Sequence, residues 1–196
     1  MDSNVATFKL TKKIEQVIPI IHDSVSTHYE DLIAVNIGGK YWYIDMLGNK
    51  ISNNIYENAY HFSEGLAGVK SFGKWGFVDK HENTIIDCIY DEVDDFSEDR
   101  AAVKYYGKWS FIDKSGQQVL QCIYDNAESF SEGLAAIKQN EKWGFIDMYG
   151  KQIIPCIYDK IIQSFSNNLA LIRLNGNYGY INKSGVQYWE DQTIII

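Results

Sequence analysis

Arginine is almost missing from this chain: Arg100 and Arg173 are the two copies among 196 residues. Bidentate phosphate recognition leans on that side chain. With 18 Lys+Arg against 26 Asp+Glu, the formal net charge is −8. A surface of that sign lacks the cations that replace phosphate counterions, which argues against sequence-independent nucleic-acid binding. Proline is equally sparse, at Pro19 and Pro155. Cysteine occurs as Cys88, Cys122 and Cys156; an odd number without a CxxC pair speaks against a secreted disulfide framework and a tetrahedral metal site. No metal and no cofactor is expected. Long apolar runs are absent too. Val17 to Ile21 and Ile194 to Ile196 are strand-sized, well short of the ~18–20 apolar residues that span a bilayer as a helix. Met1-Asp2-Ser3-Asn4 has no basic, apolar leader character. The expectations are no membrane association and a cytoplasmic location. What remains is a composition that folds: 45% hydrophobic and 14% aromatic.

The cysteines introduce the dominant feature. They lie 34 residues apart, and their surroundings recur with the same period. Trp75, Trp109 and Trp143 keep that spacing; Trp42 precedes them by 33 and Tyr178 follows by 35. Tyr56, Tyr90, Tyr124 and Tyr158 form a second column, each followed by an acid: Glu57, Asp91, Asp125 and Asp159. His22 and Asp23 fall one period earlier. Phe62, Phe96, Phe130 and Phe165 form a third column, each followed by Ser. Pro19 and Pro155 share one repeat position. The chain is a tandem array in one domain, 1–196, with a degenerate half-unit 1–24 and units at about 25–57, 58–91, 92–125, 126–159 and 160–196.

One unit reads as three short strands. In the fourth copy Leu134 to Lys138 is the first and Trp143 to Asp147 the second. Two-residue alternation puts Trp143, Phe145 and Asp147 on one face, with Gly144 and Ile146 on the other. Asp147-Met148-Tyr149-Gly150-Lys151 is a hairpin turn, because Asp accepts turn N–H groups and Gly takes positive φ. Lys151 to Ile154 is the third strand, and Cys156 to Asp159 opens a connector to Phe165. Tyr124 to Ser129 has the makings of one helical turn. The fold class is all-β: antiparallel β-meander repeats in an open twisted stack, with a closed five-bladed propeller-like ring as the alternative.

The segments Lys-Trp-Gly-Phe-Val-Asp-Lys at 74–80 and Lys-Trp-Gly-Phe-Ile-Asp at 142–147, Ile-Tyr-Asp at 89–91 and 157–159, and Phe-Ser-Glu-Gly-Leu-Ala at 62–67 and 130–135 carry a resemblance. Together, over roughly residues 14–190, they resemble the bacterial WG-repeat (WG beta repeat) family. The resemblance implies a repetitive β array and no single activity. Departures are Trp42-Tyr43 and Trp109-Ser110, which lack the Gly, Tyr178-Gly179, which lacks the Trp, and Glu82, which replaces a turn Gly.

A unit this short cannot bury its aromatics alone, so Trp75, Trp109, Trp143, Phe96 and Phe130 read as core shared between neighbours. The cysteines read as small buried thiols. The Asp column, Asp45, Asp79, Asp113 and Asp147, with Asn182 in the last copy, reads as turn chemistry. His22, His28, His61 and His81 compose no legible catalytic arrangement, and no phosphate-binding loop occurs; the expectation is a protein without enzymatic activity. What breaks the period is a group of seven carboxylates, Asp87, Asp91, Glu92, Asp94, Asp95, Glu98 and Asp99. Such a group steers a basic protein partner. The expected function is a non-enzymatic protein-interaction module, in sharper form a small acidic antagonist or immunity protein that masks that partner. The alternative is a carbohydrate- or nucleotide-binding protein using exposed aromatics. Ile194-Ile195-Ile196 would cap the last strand or support a homo-oligomer.

Overall fold

The computed structural model describes residues 24–25, 30–121 and 123–189. Pro19, His22, Asp23, His28, Cys122 and Ile194 to Ile196 lie outside the described residues. The chain forms two compact units, one ending at Tyr90 and the other beginning at Asp91. Every regular element among the described residues is a strand, and every pairing is antiparallel.

The first unit holds two sheets. One contains β1 (Ser24–Val25), β2 (Leu32–Ile37) and β3 (Lys40–Asp45). The other contains β4 (Asn58–Ser63), β5 (Leu66–Ser71), β6 (Lys74–Asp79) and β7 (Thr84–Tyr90). The second unit holds three. The first of them has β8 (Glu92–Val93), β9 (Arg100–Tyr105) and β10 (Lys108–Asp113). Next come β11 (Asn126–Ser131), β12 (Leu134–Gln139), β13 (Lys142–Asp147) and β14 (Gln152–Tyr158). The last has β15 (Lys160–Ser166), β16 (Leu169–Leu174), β17 (Asn177–Asn182) and β18 (Gln187–Trp189). Strand order follows chain order, as a meander requires.

Two sequence expectations need correction. In place of a connector from Cys156 to Phe165, Cys156 to Tyr158 continue the third strand as part of β14, Lys160 to Phe165 belong to β15, and the counterpart segment expected to make a helical turn is strand β11. Both are bulged, β11 between Ala127 and Phe130 and β15 around Gln163. A bulge shifts the in–out phase by one residue, so the two-residue pattern that announces a strand is lost. The other correction concerns Trp42. Its strand pairs Leu32 with Asp45 and Val35 with Trp42, as β5 and β6 pair Leu66 with Asp79 and Val69 with Gly76. Trp42 therefore occupies the Gly position, and Tyr41 occupies the Trp position, bridging Tyr56 as Trp75 pairs Tyr90.

That position decides whether a sheet acquires its fourth strand. A Cβ on Gly144 would stand 2.5 Å from the Ile154 carbonyl oxygen and 2.8 Å from Cys156 N; Gly76 meets the Ile86 carbonyl in the same way. The outer strand lies directly against the bare glycine. Where the position carries Trp42 or Ser110, only isolated bridges form among the described residues: Ile44 to Lys50 and Tyr41 to Tyr56, then Ile112 to Gln118 and Trp109 to Tyr124. Ser110 Oγ donates to the Leu120 carbonyl at 3.0 Å, a bond that occupies the missing strand's place.

Aromatic contacts recur from sheet to sheet. Tyr43 meets Phe62 at 4.8 Å in the first unit; Phe111 meets Phe130 at 4.9 Å and Phe145 meets Phe165 at 4.8 Å in the second. The sheets are buried on both faces, for Phe145 joins a cluster with Phe165, Ile172 and Ile181, whereas its neighbour Ile146 joins one with Phe111, Phe130 and Ala135. Trp75, Trp109, Phe96 and Phe130 are core as expected, and Trp143 is half-buried. Cys88 and Cys156 are half-buried free thiols, and burial pushes both above their ordinary pKa.

The Asp column closes turns in every copy. One carboxylate oxygen of Asp45 accepts from Leu47 N and Asn49 N, and Asp79, Asp113 and Asp147 repeat the pattern. Asn182 Oδ1 does the same for Ser184 N and Val186 N. Gly48, Gly116, Gly150 and Gly185 take positive φ in these turns, and Glu82 adopts φ 59° in their place.

Candidate interaction surface

The period-breaking carboxylates sit in two settings. Asp87 is exposed on β7 of the first unit. The other six belong to the second unit, along β8, the segment after it and the turn into β9.

Three of these six have roles that recur in other copies. Asp91 Oδ2 accepts from Gly107 N at 3.3 Å, closing the β9–β10 hairpin. Glu57 does this for Gly73 N at 3.0 Å and Asp125 for Asn140 N at 3.0 Å. The acid after each repeat Tyr is thus a hairpin clasp. Glu98 Oε2 accepts from Gly133 N at 2.9 Å, in the turn of the following sheet. Glu30 reaches Gly65 N and Glu132 reaches Asn168 N in the same way. These are latches between successive sheets, and charge counting alone missed both columns.

Asp94 is the third: its Oδ2 accepts from Ser129 Oγ at 3.0 Å, and its counterpart one period on, Glu128, likewise accepts from a serine of the next sheet, Ser164 Oγ at 2.7 Å. The Asp95 carbonyl takes the Ser129 hydroxyl at 3.2 Å. Glu92 pairs with Lys104 at 2.6 Å, and Asp99 pairs with Lys114 at 2.7 Å. The hydrogen bond and charge of Lys114 hold the Asp99 carboxyl below the usual carboxylate range. Both pairs are exposed and so contribute only about 0–1 kcal/mol; their carboxylates can exchange a lysine for a partner's cation. Glu92 faces Lys104 near the hairpin end of β9, and Asp99 precedes Arg100 at the other. Glu92 and Asp99 thus lie at opposite ends of one sheet.

The hairpin end carries a feature that charge does not announce. Tyr105 and Tyr106 stack edge to face at 4.4 Å, and Tyr106 is 85% exposed. Its φ is 47°, in a turn position that Gly38, Asn140 and Asn175 fill elsewhere. In the first unit Phe72 takes the same place, with φ 51° and 98% exposure. Left-handed backbone costs an L-residue about 1–2 kcal/mol, and neither ring recovers that by burial. The legible signal was an aromatic at a position whose other copies are glycine or asparagine.

A buried acid occupies the first unit. Glu82 is 5% exposed, and its Oε2 accepts from the Tyr56 hydroxyl at 3.0 Å. Burial raises its pKa above the ordinary glutamate value and likewise raises that of Tyr56. Among the described residues no group of three or more His, Cys, Asp or Glu could hold a metal ion.

Comparison with known proteins bears on the fold. The chain is similar to Hsv2 from Kluyvelomyces marxianus at 8% identity and TM-score 0.55, covering 84% of this chain and 62% of that one. Hsv2p from Kluyveromyces lactis gives 9%, 0.55, 84% and 61%. A eukaryotic initiation factor gives 9%, 0.58, 87% and 55%. The chain therefore spans about three fifths of the length of the Hsv2 chains. No curated protein matches it. The WG containing repeat matches at residues 43–75, 75–109, 109–143 and 143–178. With most of its length accounted for by these four copies, and with the Trp–Gly pair placing the outer strands, the chain belongs to the WG containing repeat family.

Proposed function

We propose that this chain is a non-enzymatic protein-interaction module that takes a basic protein partner on the β8–β10 sheet. The observation that carries the reading is the Tyr105–Tyr106 pair, exposed on a left-handed turn beside the exposed Glu92 carboxylate. A fold selected for stability alone places asparagine or glycine there. An exposed tyrosine is instead the residue type that anchors interfaces, and the Glu92 carboxylate beside it attracts cationic side chains and speeds encounter. In its sharper form the module is an acidic antagonist of the immunity-protein kind, masking the partner's basic surface.

The test separates binding groups from structural ones. Asp91, Asp94 and Glu98 hold the sheet together, so the informative variant is Glu92→Gln with Asp99→Asn and Tyr106→Asn. A tagged wild-type chain is used to capture partners from its native cell at low and high salt, with the triple variant alongside. A basic partner lost both at high salt and in the variant supports the reading, since exposed charges are screened over ~10 Å at 0.1 M salt. A partner retained by the triple variant sinks this assignment.

A further inference from the structure

The last sheet carries a cleft of about 620 Å³, within the range of small-molecule sites. Tyr178, Trp189, Asn175, Asn177, Gln187 and Leu174 line it. Its origin lies in the repeat. In the fourth copy the Trp position, Trp143, is paired across the outer strand by Tyr158. In the last copy that position is Tyr178, and the described pairing of β18 stops opposite Gly179, at Trp189. Tyr178 is 51% exposed. The Trp189 ring lies over Gly179, where a Cβ would collide with its Cε3 and Cζ3 atoms. The glycine that elsewhere admits a backbone here admits an indole.

The chemistry of the lining is specific. It presents two aromatic rings and three carboxamides, and none of its described lining residues is charged. Gln187 Nε2 donates to the Tyr158 hydroxyl at 2.8 Å, which fixes that amide and leaves its carbonyl oxygen to accept. Carboxamides donate and accept side by side, matching adjacent hydroxyl groups. Ring faces suit an apolar C–H surface. A phosphate finds nothing equivalent among the described residues: none of those lining the cleft is a cation, and the backbone N–H groups of Asn175 and Gly176 already serve the Asp159 carboxylate. We propose that this cleft is a binding site for an uncharged oligosaccharide, independent of the acidic surface on β8–β10.

The test uses the full chain with malto-, cello-, xylo-, laminari- and chitohexaose, and with ATP as the charged comparison. Binding is measured by calorimetry and by ¹H–¹⁵N spectra of the tryptophan indoles and side-chain amides. The expected result is binding of at least one neutral hexaose, with shifts confined to the Trp189 indole and the Asn175, Asn177 and Gln187 amides. Trp189→Ala and Asn177→Ala should each weaken it by about tenfold or more, with the far-UV spectrum unchanged. Because the spectra report on the wild-type chain, a poorly folding variant leaves the test intact. No binding across the neutral panel at millimolar sugar, shifts elsewhere in the chain, or binding of ATP alone would each overturn the proposal.

Discussion

Replacing Gly144 with alanine adds one methyl group at the point where β14 crosses the strand beneath it. The new Cβ would stand 2.5 Å from the Ile154 carbonyl oxygen and 2.8 Å from Pro155 C and Cys156 N. These are backbone atoms, so no rotamer change relieves the contact and β14 itself has to retreat. Overpacking of this kind costs about 1–3 kcal/mol. The retreat also loosens the pairings of Trp143 with Tyr158 and Phe145 with Ile154, at about 0.5–1.5 kcal/mol for each hydrogen bond lost. Alanine recovers about 0.4–1 kcal/mol through the unfolded chain. The expected net destabilisation is about 2–4 kcal/mol, read from urea unfolding followed by tryptophan fluorescence. Hydrogen exchange should show lost protection confined largely to the β14 amides. Ser110→Ala is the control at the equivalent position, where only the Ser110–Leu120 bond is lost, and it should cost no more than about 1.5 kcal/mol. Gly144→Ala within about 0.5 kcal/mol of wild type, with β14 amides protected as before, would refute the outer-strand argument.

Two further substitutions probe the strained and buried positions. Glu82 has a folded pKa raised by burial, so its protonated form stabilises the first unit fully at pH below the ordinary glutamate value. That contribution is lost as pH rises toward and through the folded value, with a slope of at most about 1.4 kcal/mol per pH unit. Glu82→Gln keeps an acceptor for Tyr56 and removes the titration; urea midpoints from pH 4 upward should therefore decline in wild type relative to the variant, and parallel curves would contradict the assignment. Tyr106→Asn places a residue tolerant of left-handed φ in the β9–β10 turn and should stabilise the chain by about 1 kcal/mol. It should also weaken partner capture, and a variant that lost stability would show that the turn does not carry the inferred strain.

Features fixed by local chemistry were legible in the sequence. The Asp turns follow from a side chain that bonds N–H groups two and four residues ahead, and all five copies do so. The Phe column was legible because packing between sheets demands one large ring per period. β11 and β15 were not, because their bulges interrupt alternation. Trp42 misled because a conspicuous residue was aligned one place off, although Tyr41 kept the true period of 34. The acidic group was read as one patch when Asp91 and Glu98 belong to the hairpin-clasp and latch columns. Counting charge within a window discards the register that assigns each carboxylate its partner. The aromatic cleft of the last sheet depends on where β18 pairs, which residue spacing alone does not specify.

The carboxylate latches set the grain at which such a gene can lengthen or shorten. Each joins a Glu to a turn N–H of the next sheet, 35 or 36 residues on. Duplicating one whole period inserts both a new acceptor for the sheet that follows and a new donor for the sheet before, leaving every junction matched. A duplication of half a period strands a carboxylate and an amide at the same junction and puts the wrong strand against the Phe ring. Unequal recombination between copies is therefore tolerated in whole repeats and purged in fractions, so changes in array length should come in integral steps.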